Sequence, residues 1–178
     1  MSKIVVIYQS KYGSTEKYAG WLAEELSCDL IKTKEAKIEQ VEKYDVCIIG
    51  GGLYASGIAG LSFLKKNYEK LKNKTLIVFA VGASPYEQKA FREIKEHNLK
   101  SPMDMIPFFY FRGAWDQDKM TFTDRTMCNI LKKMVAKKDS NTLEPWEKAL
   151  MEAIDTNQDW ADKECIKPIV DLVRSKTL

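Results

Sequence analysis

The chain has 178 residues, of which 45% are hydrophobic, 11% aromatic and 30% charged. That is enough for one sizeable core under a solvated surface, and it excludes disordered and collagen-like classes. Its 28 Lys and Arg against 25 Asp and Glu leave a net charge of +3 at pH 7, too balanced to require a nucleic-acid partner.

Lys3 precedes a short apolar run at 4–8, too short for a signal segment, and no stretch reaches the roughly 20 apolar residues of a membrane span. The continuous β-branched and aromatic character of 4–8 predicts a strand buried on both faces. A polar Ser/Gly turn follows, then Tyr18, Trp21, Leu22 and Leu26 at helical spacing. The rhythm repeats: strands are expected at 29–32, 45–49, 75–81 and 106–111, with helices at 61–71 and 87–97. Such alternation implies an α/β fold, with parallel strands joined by right-handed crossovers, helices on both faces, and ligands at the carboxyl ends of the strands.

After Phe111 the pattern changes. A polar and aromatic stretch at 115–124 leads to an amphipathic helix around 127–135, then a turn at Asp139-Ser140-Asn141-Thr142. Two helical segments follow, one opened by Pro145 and the last at 166–173. With no repeat or flexible linker, residues 1–178 read as a single domain carrying 115–160 as an insert or extension. Lys132, Lys133, Lys137 and Lys138 read first as a solvated helix face and second as a peripheral membrane contact. Met127, Ile130, Leu131 and Met134 read as core before dimer contact, and the oligomeric state stays open.

Ser10-Lys11-Tyr12-Gly13-Ser14-Thr15 joins the first strand to the first helix. Backbone N–H groups at a helix start, with hydroxyls around a glycine, suit a phosphate monoester. The same loop reads equally as a helix cap through Ser14 or Thr15. It lacks the G-x-x-x-x-G-K-[ST] spacing, so nucleoside triphosphate hydrolysis is not expected. Gly50-Gly51-Gly52-Leu53-Tyr54-Ala55 matches G-x-G-x-x-A formally. A dinucleotide fingerprint belongs in the first βαβ unit, however, with an acidic residue after it, and here Ala80 and Val81 stand in that place.

Gly50, Gly51, Gly52 and Gly57 are expected to form a close-approaching loop with Tyr54 at its crest. Further loops at Val81-Gly82-Ala83-Ser84-Pro85-Tyr86 and Arg112-Gly113-Ala114-Trp115 lie at the same sheet end. Together they suit a planar ring held against backbone amides, while each aromatic could also cap the core.

Over about the first 115 residues this pattern resembles the flavodoxin family, with S-K-Y-G-S-T in place of its T/S-x-T-G-x-T phosphate loop. The resemblance implies a doubly wound five-stranded parallel sheet of order 2-1-3-4-5 and FMN as cofactor. Gly113-Ala114, Phe122, Asp124-Arg125, Met127, Met134, Asp139-Ser140 and Asp159-Trp160 extend it, as in the branch that includes quinone-dependent protoporphyrinogen IX dehydrogenase. Two departures stand out: Tyr12 replaces a threonine, and Trp115-Asp116-Gln117-Asp118 replace basic and aromatic residues. An additional helical segment also lies between Thr142 and Ala161.

The resemblance implies phosphate binding by Ser10, Tyr12, Gly13, Ser14, Thr15 and the Lys11 backbone, and ring binding by Tyr54, Gly82, Ala83, Ser84 and Trp115. It implies no catalytic side chain, because the redox chemistry is the flavin's; His97 is expected to face solvent. The leading expectation is an FMN-dependent oxidoreductase acting on a small organic or quinone-type partner, with protoporphyrinogen IX oxidation as one form. The alternatives are an electron carrier between redox proteins, against which the +3 charge counts, and a non-redox interaction module anchored by Tyr110, Phe111, Trp115 and Phe122. The four cysteines, Cys28, Cys47, Cys128 and Cys165, form no CxxC pair, and the chain has one histidine. No metal site or disulfide framework is therefore expected, and a reducing cytoplasm is the expected compartment.

Overall fold

The apolar runs become the central strands of a parallel sheet in the computed structural model, which describes residues 2–153 and 156–177. Strands β1 (Ile4–Gln9), β2 (Asp29–Lys32), β3 (Val46–Tyr54), β5 (Thr75–Gly82) and β6 (Phe108–Arg112) pair in the order β2-β1-β3-β5-β6. All four of these pairings are parallel. With β4 (Gly57–Ile58) set aside as a hairpin return on β3, this is the expected 2-1-3-4-5 topology. The edge strand β2 is mostly exposed, while β1, β3 and β5 are nearly all buried.

Helices cover both faces. On one side, α1 (Ser14–Leu26) and α7 (Lys167–Thr177) bury Tyr18, Leu22, Ile169, Val170 and Val173 against Val6, Ile48, Ile77 and Phe79. On the other, α3 (Leu61–Leu71) and the segment after α4 (Gln88–Asn98) bury Leu61, Leu64, Leu71 and Leu99 against Val5, Ile7, Ile49 and Val78. Alternate residues of one strand thus feed opposite cores, as the two-residue period of a strand requires. A short helix, α2 (Ile38–Val41), precedes β3.

Three expectations change. The glycine run is strand and not loop: Gly50–Gly52 continue β3, and a side chain on Gly50 would stand 2.0 Å from the Phe79 ring beside it. The strand therefore ends at Tyr54, where Ala55 and Ser56 turn the chain with φ of 46° and 67°. That strained pair is held by Asn98, which donates to the Ser56 carbonyl at 2.6 Å and accepts from the Ile58 N–H at 3.0 Å.

The second change concerns the stripe of Met127, Ile130, Leu131 and Met134, which is exposed and not core. Third, Phe111 is buried and stacked on Tyr18 at a centroid distance of 4.7 Å, so it serves the core and not an interface. His97 is exposed, as expected.

After β6 the chain enters β7 (Ala114–Trp115), then α5 (Phe122–Val135), a 3-10 turn at Ser140–Thr142 and α6 (Pro145–Ala153). It returns through β8 (Gln158–Asp159), antiparallel to β7. Val135 and Leu150 form a small third core with Trp115, Cys128, Leu143 and Met151. The Lys17–Asp159 ion pair at 2.7 Å and the Trp160 N–H to Gly113 carbonyl bond at 3.1 Å tie the returning segment to the sheet.

Candidate functional site: a cleft at the carboxyl ends of the strands

The ends of β1, β3, β5 and β6 open into a cleft of about 490 Å³, within the size range of small-molecule and cofactor sites. Of the residues nominated from sequence, Ser10, Tyr12, Ser14, Thr15, Tyr54, Gly82, Ala83, Ser84 and Trp115 line it; Lys11 and Gly13 do not. Gly13 instead shapes the loop. At φ 100° it adopts a conformation that a side chain would strain, and it is the N-cap of α1 without any side-chain cap.

That lack of a cap bears on the phosphate reading. The helices α4 and α5 are capped by Glu87 and Thr121 side chains, whereas neither Ser14 nor Thr15 caps α1. The Ser14 hydroxyl accepts from the Ala114 N–H at 3.0 Å, and Ser10 accepts from the Gly13 N–H at 3.1 Å. Each hydroxyl keeps its proton to donate, next to the positive end of the α1 dipole. The donor set fits a phosphate monoester.

Tyr12 does something sequence reasoning did not foresee. Its hydroxyl donates to the Asp124 carboxylate and accepts from the Thr121 N–H at 3.2 Å, so it joins the loop to the start of α5. Lys11 reaches the same Asp124 oxygen at 2.5 Å. Lys11, chiefly, and Tyr12 hold the Asp124 carboxyl below the usual carboxylate range, and Asp124 raises the Lys11 ammonium in turn. The aromatic ring places the tyrosine oxygen far from Cβ, where threonine would carry its hydroxyl, and so takes it beyond the loop.

The ring side is built by β5 and β6. The carbonyls of 82–84 are all engaged: Gly82 by the Gly113 N–H at 2.7 Å, Ala83 by Arg112 Nε at 3.0 Å and Ser84 by the Tyr110 hydroxyl at 2.7 Å. Arg112 is steadied by Trp160, whose ring lies 3.8 Å below the guanidinium. Burial pushes the Tyr110 hydroxyl up to about 12, so it remains a donor across the ordinary pH range. A side chain at Gly82 would meet Tyr110 Oη at 2.6 Å, which is why backbone alone borders the cleft there. Trp115 contributes a buried Nε1 with no partner, an unmet donor within a residue that lines the cleft.

The far wall comes from the insert. Met120, Met127, Cys128, Leu131, Trp146 and Leu150 line the cleft opposite the loops at the ends of β1, β3 and β5, and burial pushes the Cys128 thiol up, which favours its protonated form. Only Met127 among these was singled out within the cleft-bearing family pattern; the amphipathic spacing of α5 carries the signal, but not which side it faces. Among the described residues no cluster of metal-binding side chains occurs, and no helix is long and apolar enough to cross a membrane.

The model of the flavodoxin domain matches residues 5–142. The chain belongs to the flavodoxin family. An uncharacterized protein of Methanocaldococcus jannaschii is 26% identical over 100 residues, spanning 56% of this chain and 67% of that protein. Among solved structures, a short-chain flavodoxin associated with a PDU bacterial microcompartment superposes with a TM-score of 0.50 and 15% identity, covering 67% of this chain and 90% of that one. A flavoprotein in complex with FMN from Lactobacillus acidophilus gives 0.44 and 15%, covering 63% and 93%. Oxidised flavodoxin 1 from Bacillus cereus gives 0.45 and 18%, covering 62% and 84%. The flavodoxin domain supports FMN as the cofactor.

Proposed function

We propose that the protein is an FMN-dependent oxidoreductase that passes electrons or hydride between the flavin and a small organic or quinone-type partner. The observation carrying this reading is the composite cleft: loops of a flavodoxin domain on one wall, and the apolar side chains of α5 and α6 on the other. FMN supplies the redox chemistry when bound. The chain's own residues bind and orient: Ser10, Ser14, Thr15 and the α1 N-terminus hold the phosphate, aided by the backbone of Lys11 and Gly13, with Tyr12 closing the loop. Gly82, Ala83, Ser84, Tyr54 and Trp115 border the ring.

No acid or base among them is required. The apolar wall excludes water and favours a flat, weakly polar second substrate. This supports the branch resembling quinone-dependent protoporphyrinogen IX dehydrogenase, and it disfavours a carrier whose flavin edge must stay open to redox proteins. The same reading takes residues 1–178 as one FMN-binding unit extended by 115–160. Four cysteines without disulfides among the described residues fit a reducing cytoplasm.

Absorbance of the purified protein after mixing with FMN and gel filtration tests the cofactor, with near-stoichiometric retention expected. Turnover with a soluble naphthoquinone or with protoporphyrinogen then tests the substrate class. A colourless protein overturns the flavin reading and favours an interaction module. Retained FMN with turnover only through a redox protein favours the electron carrier.

A further inference from the structure

Among the described residues, six of the ten exposed large hydrophobic side chains lie on α5 and α6, the helices that roof the cleft: Phe122, Met127, Ile130, Leu131, Met134 and Trp146. Phe122 is 86% and Met134 60% exposed, so these are not core residues glimpsed at an edge. By helical spacing Met127, Ile130, Leu131 and Met134 share one side of α5. Met127, Leu131 and Trp146 also line the cleft, which makes the patch continuous with its mouth.

Charge is concentrated on the same segment. Residues 121–138 hold five basic side chains, Arg125, Lys132, Lys133, Lys137 and Lys138, against one acidic, Asp124. The segment therefore carries +4, and the rest of the chain together −1. Its single carboxylate is turned to Lys11 and Tyr12. Lys138 is paired with Glu147 of α6, while Lys133 and Lys137 are exposed.

An apolar stripe flanked by lysines is the pattern of a helix that lies in a bilayer interface, with side chains inserted among acyl chains and ammonium groups among headgroups. A second copy of this chain fits less well. Two such faces would set like charges against each other, since the segment carries +4.

We propose that α5 docks the protein on the surface of an anionic lipid bilayer, with the mouth of the cleft facing the lipid. The docking is peripheral, and it stands whether or not FMN binds.

Sedimentation with vesicles tests it, using phosphatidylcholine alone and phosphatidylcholine with 30% phosphatidylglycerol in about 0.1 M and about 0.5 M salt. The wild type is expected to pellet with the anionic vesicles at low salt, severalfold less with neutral ones, and less again at high salt. The double substitution Ile130→Glu with Met134→Glu changes only exposed side chains, so the fold should persist by circular dichroism while vesicle binding falls at least tenfold. Lys133→Glu with Lys137→Glu should lose the preference for anionic lipid. Absence of vesicle binding by the wild type, or binding unchanged in the Ile130→Glu, Met134→Glu protein, overturns the proposal. So does a wild-type dimer in light scattering that the same double substitution dissociates, which would assign the patch to self-association.

Discussion

The Tyr12 hydroxyl donates to the carboxylate of Asp124, a residue 112 positions away, and so fastens the insert to the loop proposed to hold phosphate. Lys11 shares the same carboxylate. One side of this contact is the departure of the loop from the usual flavodoxin pattern, and the other is the first turn of α5, so the insert and the unusual tyrosine explain each other.

Asp124→Asn and Tyr12→Phe should therefore loosen the start of α5 before they harm the sheet. Hydrogen exchange is expected to quicken over 121–135 and to stay unchanged over β1 and β3; equal quickening in both would show that the contact is part of the global fold. The pH sign follows from Lys11 and Tyr12 lowering the Asp124 carboxyl. A lowered folded value gives stability that is present above the unfolded value of about 3.9 and is lost as pH falls through the folded one. Wild type, but not Asp124→Asn, should show this loss in acid, below about pH 3.9.

Trp115→Phe separates binding from stability. The indole Nε1 has no partner in the protein, so its removal deletes a desolvated donor and should leave the FMN-free protein as stable or slightly more stable, within about 1 kcal/mol. If that donor serves the flavin, FMN affinity should fall severalfold in fluorescence titration. Unchanged affinity would relieve Trp115 of any polar role toward the ring.

Gly82→Ala places a methyl 2.6 Å from Tyr110 Oη. The Tyr110 hydroxyl must give way, releasing the Ser84 carbonyl that it holds at 2.7 Å. A stability loss of about 1–3 kcal/mol is expected, with weaker FMN binding; Gly113, whose added methyl would meet Val81 and Ser14 at 2.8 and 2.9 Å, should behave alike. Flavin affinity equal to wild type in both variants would show that the loop tolerates displacement.

Leu150→Ala empties the centre of the small third core beside Val135 and Trp115. Because this core is separate from the two that flank the sheet, the expected cost of about 2 kcal/mol should appear as early proteolysis within 116–153 ahead of sheet unfolding. A single cooperative transition at lowered temperature would instead show that the insert folds with the sheet.

The parallel sheet was legible in local patterns: continuous β-branched runs at β1, β3 and β5 imply burial on both faces, and alternation with amphipathic helices implies parallel crossovers and a cleft at the carboxyl ends of the strands. The strand order followed only from the resemblance to the flavodoxin family. The loop at 10–15 could be singled out from its hydroxyls and glycine, but the sequence left it equally a phosphate cradle and a helix cap, and the structure decides only that no side chain caps α1. Long-range packing settled the questions of which side faces what. Gly50–Gly52 read as a loop but continue β3, where Phe79 of the neighbouring β5 fills the space beside Gly50, and Ala59 and Ile58 the space beside Gly51. Met127, Ile130, Leu131 and Met134 have the spacing of a buried stripe, yet periodicity records only that one side of a helix is apolar, not whether core, cleft or outside covers it. The Tyr12–Asp124 contact lay beyond local reasoning altogether: a side chain's partner across 112 residues is set by how the insert folds back over the sheet, which no window of neighbouring residues contains.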